Sequence, residues 1–456
     1  MPLSDDDRTR IMGLGEKPSP ADLDTDLVEE PVYPDSDETE VDPLDGWESS
    51  TTVRQPVAGP APVSGPAPTP VDVPSPHAGD TAPQPLLRRR QPVAVPEPDL
   101  AAEPAGSSRQ ADGEAGRPRT FKRARHGCLA SLLWLVMLVV AAFIAIRCIP
   151  AEYANGRAIP ELASFVPLML VPTLVCVVLS LLWHRRILAV VSILALALMG
   201  YWHAGYFLPG NKVSGEARSA VATASTDDSA ARIMTLNTKN GQASAADIVN
   251  LVRSQNVEVL CLQELSDSMI NELSQAGLFQ LLPYYVVSDG ASEVSNGGRN
   301  GIWTLAPMGN ISGNLLPIET SSMPAGSISI GGSTVRIVSV HPNSPVRGAQ
   351  DLWESGLSVI GSLSDYDHSY LIMGDFNSTW DHERFRQLLG TSFADASESA
   401  GEGFHMTFPS NSVVPSLIEI DHILYARDAG ITVSGLETVE IAGTDHKALL
   451  GTLEVS

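Results

Sequence analysis

The chain has 456 residues, a formal net charge of −24 and four cysteines. That length exceeds what one small core holds, and four thiols without paired spacing exclude a disulfide-built scaffold and a cysteine zinc site. The acidity argues against a protein that grips duplex nucleic acid over a broad surface.

Residues 1–127 are rich in Pro, Ala, Asp and Glu and show no sustained apolar period, which predicts a disordered tail. Its basic points are Arg88-Arg89-Arg90 and Lys122-Arg123-Ala124-Arg125, and nothing in it names a protein partner. Residues 128–208 then hold three apolar runs, predicted as three transmembrane helices: Cys128 to Ile146, Ala163 to Trp183, and Ile187 to about Leu208. The first is free of charge and, at about 1.5 Å per residue, long enough for a bilayer core of roughly 30 Å. Pro167 and Pro172 in the second are tolerable where neighbouring helices repair the backbone. Tyr201, Trp202, Tyr206 and Phe207 at the end of the third suit a membrane interface. The first run starts too far along the chain for a cleavable signal peptide.

Basic residues set the expected orientation. Lys122, Arg123 and Arg125 precede the first run, and Arg185 and Arg186 occupy the short second loop. The tail and the His184-Arg185-Arg186 turn are therefore expected in the cytoplasm, and residues 209–456 on the far side of the membrane. Residues 209–230, rich in Gly, Ser, Ala and Asp, read as a linker.

From residue 231 to 456, strands and helices alternate. A strand ends in Asn237, a helical pattern covers Ser244 to Ser254, and a second buried strand ends in Glu264, so the segment reads as a βαβ unit. Further on, a strand ends in His341, an amphipathic helix covers Gln350 to Leu363, and the stretch Leu371 to Trp380 follows. There the apolar run stops at Gly374, and Asp375 and Asn377 stand two residues apart where the chain leaves the sheet. Asp421 lies in a later strand, and Asp445 and His446 precede the last one. Any one of these eight polar residues is an ordinary cap or turn. Together they point to strand ends converging on one carboxylate-lined pocket, and oxygen donors without cysteine favour a hard cation such as Mg²⁺ over Zn²⁺.

The ordered set formed by the Asn of TLN, the Glu of LQEL, the His of VSVHPN, GDFN, the Asp of IDHIL and the DH of GTDH resembles the endonuclease/exonuclease/phosphatase family of Mg²⁺-dependent phosphoesterases. The resemblance implies an α/β fold: two packed β-sheets flanked by helices, a four-layer sandwich. It implies that Glu264 is the main metal ligand, with Asn237 and Asp445 completing the set, and that the ion is Mg²⁺, with Mn²⁺ or Ca²⁺ as substitutes. It further implies that Asp375 deprotonates the attacking water, that Asn377 holds that water or a phosphate oxygen, and that His446 contacts the phosphate, oriented by Asp421. His341 would assist the leaving group or bind the phosphate. The sequence departs from the family where an Arg often precedes the ID motif, since Ile418, Glu419 and Ile420 stand here.

The expected function is a membrane-anchored, outward-facing hydrolase of phosphodiesters, nuclease-like, with a phospholipid, inositol-phosphate or sphingomyelin substrate as the alternative. A non-catalytic envelope module on the same fold is a third reading, opposed by the intact motif set. Residues 211–456 hold 12 Lys and Arg against 28 Asp and Glu, which lowers the affinity expected for DNA.

Overall fold

The computed structural model describes residues 125–154, 156–288 and 298–456. Residues 1–124 of the expected tail, with Arg88 to Arg90, Lys122 and Arg123, lie outside the described residues, and Arg125 already opens the first helix. The chain opens with α1 (Arg125–Arg147), a connecting segment carrying α2 (Ile159–Ala163), then α3 (Leu170–Leu182) and α4 (Arg186–Trp202). Leu133, Met137 and Val140 of α1 pack against Cys176, Leu188 and Met199. Small polar groups at this seam, Thr173, Ser180 and Ser192, are fully buried and let the helices approach closely. Leu132, Leu135, Leu138, Val171, Leu182, Ile187 and Leu194 instead point outward and are exposed.

Among the described residues, one helix, Cys128–Arg147, is long and apolar enough to cross a membrane by itself; Pro167–Leu182 and Arg186–Trp202 are shorter apolar helices. The second run corrects the expected start at Ala163. Residues up to Ala163 form the separate one-turn α2, and the longer helical stretch begins at Pro167. Proline has no N–H to give and a fixed φ, so it opens a helix more readily than it continues one.

The stretch read as a linker is held in place. It contains α5 (Gly215–Ala220), whose first turn is capped by Ser214 Oγ accepting from the Ala217 N–H at 3.0 Å. Val213 and Ala217 pack on Ala230.

The domain that follows runs β1 (Ala230–Asn237), α6 (Ala245–Ser254), β2 (Val259–Leu265), α7 (Asp267–Ala276), α8 (Leu278–Leu281), β3 (Tyr284–Val287), β4 (Arg299–Thr304), β5 (Gly309–Ser312), β6 (Ala325–Ile330) and β7 (Ser333–Val340). It continues with α9 (Gln350–Gly361), β8 (Tyr370–Asp375), α10 (Glu383–Leu389), β9 (Phe393–Asp395), α11 (Ala396–Ala400), β10 (Asp421–Ala426), β11 (Ile431–Glu440) and β12 (Lys447–Val455). One six-stranded sheet has the order β11-β12-β1-β2-β4-β3 and the other β5-β6-β7-β8-β10-β9. Each is mixed, with one parallel pair near its centre, β1 with β2 and β7 with β8, flanked by antiparallel neighbours.

Period-two alternation sorts the side chains. Ala231, Ile233, Val259, Cys261, Val335, Ile337, Leu371, Met373, Ile423 and Leu449 share the core between the sheets. Met234, Leu236, Leu260 and Leu262 face outward under α6, α7 and α8. On the other side, α10 covers the second sheet, with Phe385 4.4 Å from the His422 ring. The result is the helix–sheet–sheet–helix sandwich that the resemblance implied.

Candidate active site

Two parallel strand pairs end on the same edge of the sandwich, and the alternation just described aims their last polar residues inward. Asn237 continues the face of Ala231 and Ile233, Asp375 that of Leu371 and Met373, and His341 that of Val335 and Ile337. Asp421, read as part of a strand, opens β10, and His446 precedes β12 as the sequence suggested. Both strands run antiparallel to their neighbours β8 and β1, so their starts lie beside those strands' ends.

Glu264 breaks the alternation. Cys261 faces the inner core and Leu262 the helices, so a regular strand would send Glu264 outward. Its φ of +55° and a register shift between Leu262 and Leu265 turn the carboxylate into the cleft. Gly374 is required next to Asp375, because a Cβ there would stand 2.0 Å from the Val340 carbonyl oxygen.

A single amide ties the two sheets together at this edge. Asn237 Nδ2 donates to Glu264 Oε1 at 2.9 Å and to Asp375 Oδ2 at 3.0 Å. The Asn240 N–H donates to Glu264 Oε2 at 2.8 Å, and the Asn377 N–H donates to Asp375 Oδ1 at 2.8 Å. His341 Nε2 stands 3.6 Å from both Glu264 Oε1 and Asp375 Oδ2. His446 Nδ1 pairs with Asp421 Oδ2 at 2.8 Å, and its Nε2 lies 3.7 Å from Asp375 Oδ2. Asn377, with φ of +47°, donates its Nδ2 to the Pro342 carbonyl at 3.1 Å.

Six of the eight residues singled out from the sequence thus meet in one buried group: Asn237, Glu264, His341, Asp375, Asp421 and His446. Asn377 lines the same cleft, and Asp445 lies at its rim, 3.1 Å from Lys239 Nζ and one-third exposed. Lys239 and Thr444 escaped sequence reading. Thr444 Oγ1 donates to the Asn237 carbonyl at 2.8 Å and accepts from the His446 N–H at 3.1 Å, so it fastens the loop before β12 to the end of β1. Both stand beside motif residues in the sequence, Lys239 two after Asn237 and Thr444 directly before Asp445, but a lone Lys or Thr in a loop carries no pattern of its own. Arg299 pairs with Asp267 at 3.1 Å, and the exposed Arg347 reaches Glu161, on the cleft wall, at 3.9 Å. His422 takes the opposite face from Asp421, as alternation requires, and bonds Asp395 at 3.0 Å.

Burial sets the electrostatics. Loss of solvent pushes the Asp375 carboxyl up, with His446 pulling the other way. Glu264 is also raised by burial, against the hydrogen bonds from Asn237 and Asn240. Burial alone would lower His446, but Asp421 and Asp375 outweigh it and push the ring up to about 10. A protonated His446 is a donor, so the close group of Asp375, Asp421 and His446, whose ligand-type atoms lie within 4.8 Å of one another, reads as an ion-paired cluster. A cation fits better against the carboxylates: Oδ1 of fully buried Asp421 meets no donor among the described residues, and Glu264 and Asp375 are two raised carboxylates held by one amide.

Residues 234–446 match the Endonuclease/Exonuclease/phosphatase family. Similar solved structures include TDP2 of D. rerio complexed with single-strand DNA product, 17% identical over 50% of this chain and 100% of that one, at a TM-score of 0.41. The human Nocturnin catalytic domain with bound sulfate is 15% identical over 50% of this chain and 96% of its own, at 0.39. An endonuclease/exonuclease/phosphatase family protein from Bacteroides thetaiotaomicron is 14% identical over 51% and 97%, at 0.38. No curated protein matches the chain.

Proposed function

We propose that the protein is a membrane-anchored hydrolase of phosphate esters that works with a bound divalent cation and faces away from the cytoplasm. The observation that carries this reading is the convergence of Asn237, Glu264, His341, Asp375, Asp421 and His446 in one buried cleft. Glu264 would hold the cation, Mg²⁺ in the first instance, with Asn237 ordering its carboxylate and Asp445 at the rim. When bound, that ion stabilises charge on the phosphate and makes a nearby water more acidic.

The protein's own groups supply the rest. Asp375 takes a proton from the attacking water, and its raised basicity suits that role. His446, kept charged by Asp421, donates to a phosphate oxygen as charge builds there. Asp421 accepts from Nδ1 and so fixes the ring with Nε2 toward the phosphate. His341, buried between β7 and β8, is placed to protonate or steady the leaving oxygen, and Asn377 orients water or phosphate.

The one helix long enough to cross a bilayer, Cys128–Arg147, with outward-pointing Leu132, Leu135 and Leu138, is what supports anchoring, and the two shorter apolar helices pack against it. The basic turn at Arg185 and Arg186 supports a cytoplasmic placement of that end. A nuclease is the second reading, favoured by the family's composition and opposed by the acidic domain. With Mg²⁺ and the full chain in detergent, bis(4-nitrophenyl) phosphate should be hydrolysed, and Asp375→Ala and His446→Ala should each slow turnover by about 10²-fold or more. Near-normal rates in both variants would remove the site assignment. EDTA should abolish hydrolysis, and added Mg²⁺ or Mn²⁺ should restore it.

A further inference from the structure

The cleft has a wall that the catalytic domain does not provide. Its lining, around about 480 Å³, includes Glu161, Ser164 and Phe165, which belong to the segment between α1 and α3. Phe165 sits two residues before Pro167, where the next apolar helix starts, at most about 7 Å of chain away. Facing the same space are Val346, Phe408, Ile418 and Ile420. One end of the cleft is therefore ionic and buried, and the other is apolar and adjoins the helical bundle.

This wall is fixed. His382 Nε2 bonds the Pro160 carbonyl at 2.8 Å, and the Thr379 N–H donates to His382 Nδ1 at 2.8 Å. The Ala151 N–H donates to Glu383 at 2.7 Å, and Gln350 both accepts from the Gly156 N–H and donates to the Arg157 carbonyl. Phe408 and Ile418 are joined by backbone bonds into the base of a hairpin that carries exposed Val413 and Val414.

Charge points the same way. Lys239 is the one Lys or Arg lining the cleft among the described residues, and it is taken by Asp445. A polyanion needs a run of cations along its backbone, whereas a single phosphate needs only the buried end.

We infer that the cleft takes a phosphate ester joined to an apolar chain, an amphiphile offered from the bilayer, with Phe165 and the segment around it as the surface along which that chain lies. Water forms the new bond to phosphorus, the bond from phosphorus to the leaving oxygen breaks, Asp375 receives the water's proton, and the leaving oxygen takes one from His341 or solvent. The inference rests on the phosphoesterase reading above.

The test uses the full chain in detergent micelles with Mg²⁺ and two 4-nitrophenyl alkyl phosphates, the methyl and the dodecyl ester, followed by release of 4-nitrophenolate. The dodecyl ester should give a kcat/KM about tenfold or more above the methyl ester. Phe165→Ser should bring that ratio to within about twofold of unity. Ester partition into the micelle is common to both proteins, so it cancels in the comparison. Ile418→Ser, on a different element, should have the same effect and covers the case in which Phe165→Ser fails to fold. Equal rates on the two esters in the wild type, or an undiminished ratio in folded variants, would overturn the amphiphile inference and leave the phosphoesterase reading intact. Hydrolysis of plasmid DNA faster than of either ester would overturn it as well. No turnover of any substrate with Mg²⁺ or Mn²⁺ would remove the underlying reading and the inference with it.

Discussion

His446 is held between two carboxylates, and its raised basicity fixes a sign. A histidine whose folded pKa lies above its ordinary value adds stability below about 6.5, and loses it as pH rises toward the folded value. His446, pushed up to about 10, and His422, lowered by burial but carried to about 9 by Asp395, both act this way. The melting temperature should therefore fall between pH 6.5 and 10, as thermal unfolding across that range would register. Hydrolysis should fall over the same alkaline range as His446 loses its proton, and His446→Gln should flatten that limb of the pH–rate profile. The raised Asp375 and Glu264 carboxyls have the same sign at lower pH, since each costs stability as it ionises above its ordinary range. Millimolar Mg²⁺ at pH 8 should raise the melting temperature, by about 2.7 kcal/mol of stabilisation at a hundredfold excess over Kd. Glu264→Gln should lose most of that gain. Alternation made Asn237, Asp375 and Asp421 legible from the sequence. The inward turn of Glu264 was not, since it depends on a left-handed backbone that apolar periodicity does not encode.

The loop after β8 does two jobs within eight residues. Asp375 and Asn377 serve the cleft, while Trp380, Asp381 and His382 clasp the apolar N-terminal helices and the segment between them. Arg147 Nε pairs with Asp381 Oδ1 at 2.5 Å, and His203 Nε2 with Asp381 Oδ2 at 3.0 Å, with Asp381 and His203 buried and Arg147 partly so. The Arg147 guanidinium also lies 4.3 Å over the Trp202 ring, and Trp380 Nε1 donates to the Trp202 carbonyl at 3.1 Å. Asp381→Asn leaves the partly buried Arg147 beside a neutral group, and about 3–5 kcal/mol of stability should be lost in detergent melts. Burial lowers His382 to about 4, so its clasp on Pro160 contributes above pH 6.5 and weakens as pH falls from about 6.5 to 4. Amide exchange in α10 should quicken over that acid range. Helix and strand types followed periodicity well, but the docking residues looked like ordinary polar surface in the sequence. They became meaningful only when α1 and α4 were brought to lie against them, a contact spanning more than 170 residues.

At the level of the whole molecule, the ends of α1 and α4 nearest the domain lie together, and the Arg185–Arg186 turn connects α3 to α4 away from them in sequence. If the topology proposed above holds, protease added to intact cells should cut residues 231–456 and spare the turn. Cleavage only after lysis would reverse the topology proposed above. The stretch 209–230, read from composition as slack chain, is instead packed through α5, and Ser214 reaches Glu454 at 2.6 Å. The sandwich thus has no free leash. Composition predicts how a stretch behaves alone, and here the surrounding domain decides.

That rigid coupling carries a mechanical consequence. Under the anchored reading proposed above, a domain docked this closely on its helices would take up any tilt they undergo. Lipids with shorter or longer acyl tails change helix tilt to match their thickness. Reconstituted into bilayers of graded thickness, the protein should show an optimum for lipid-borne substrates, and Asp381→Asn, by loosening that docking, should broaden it.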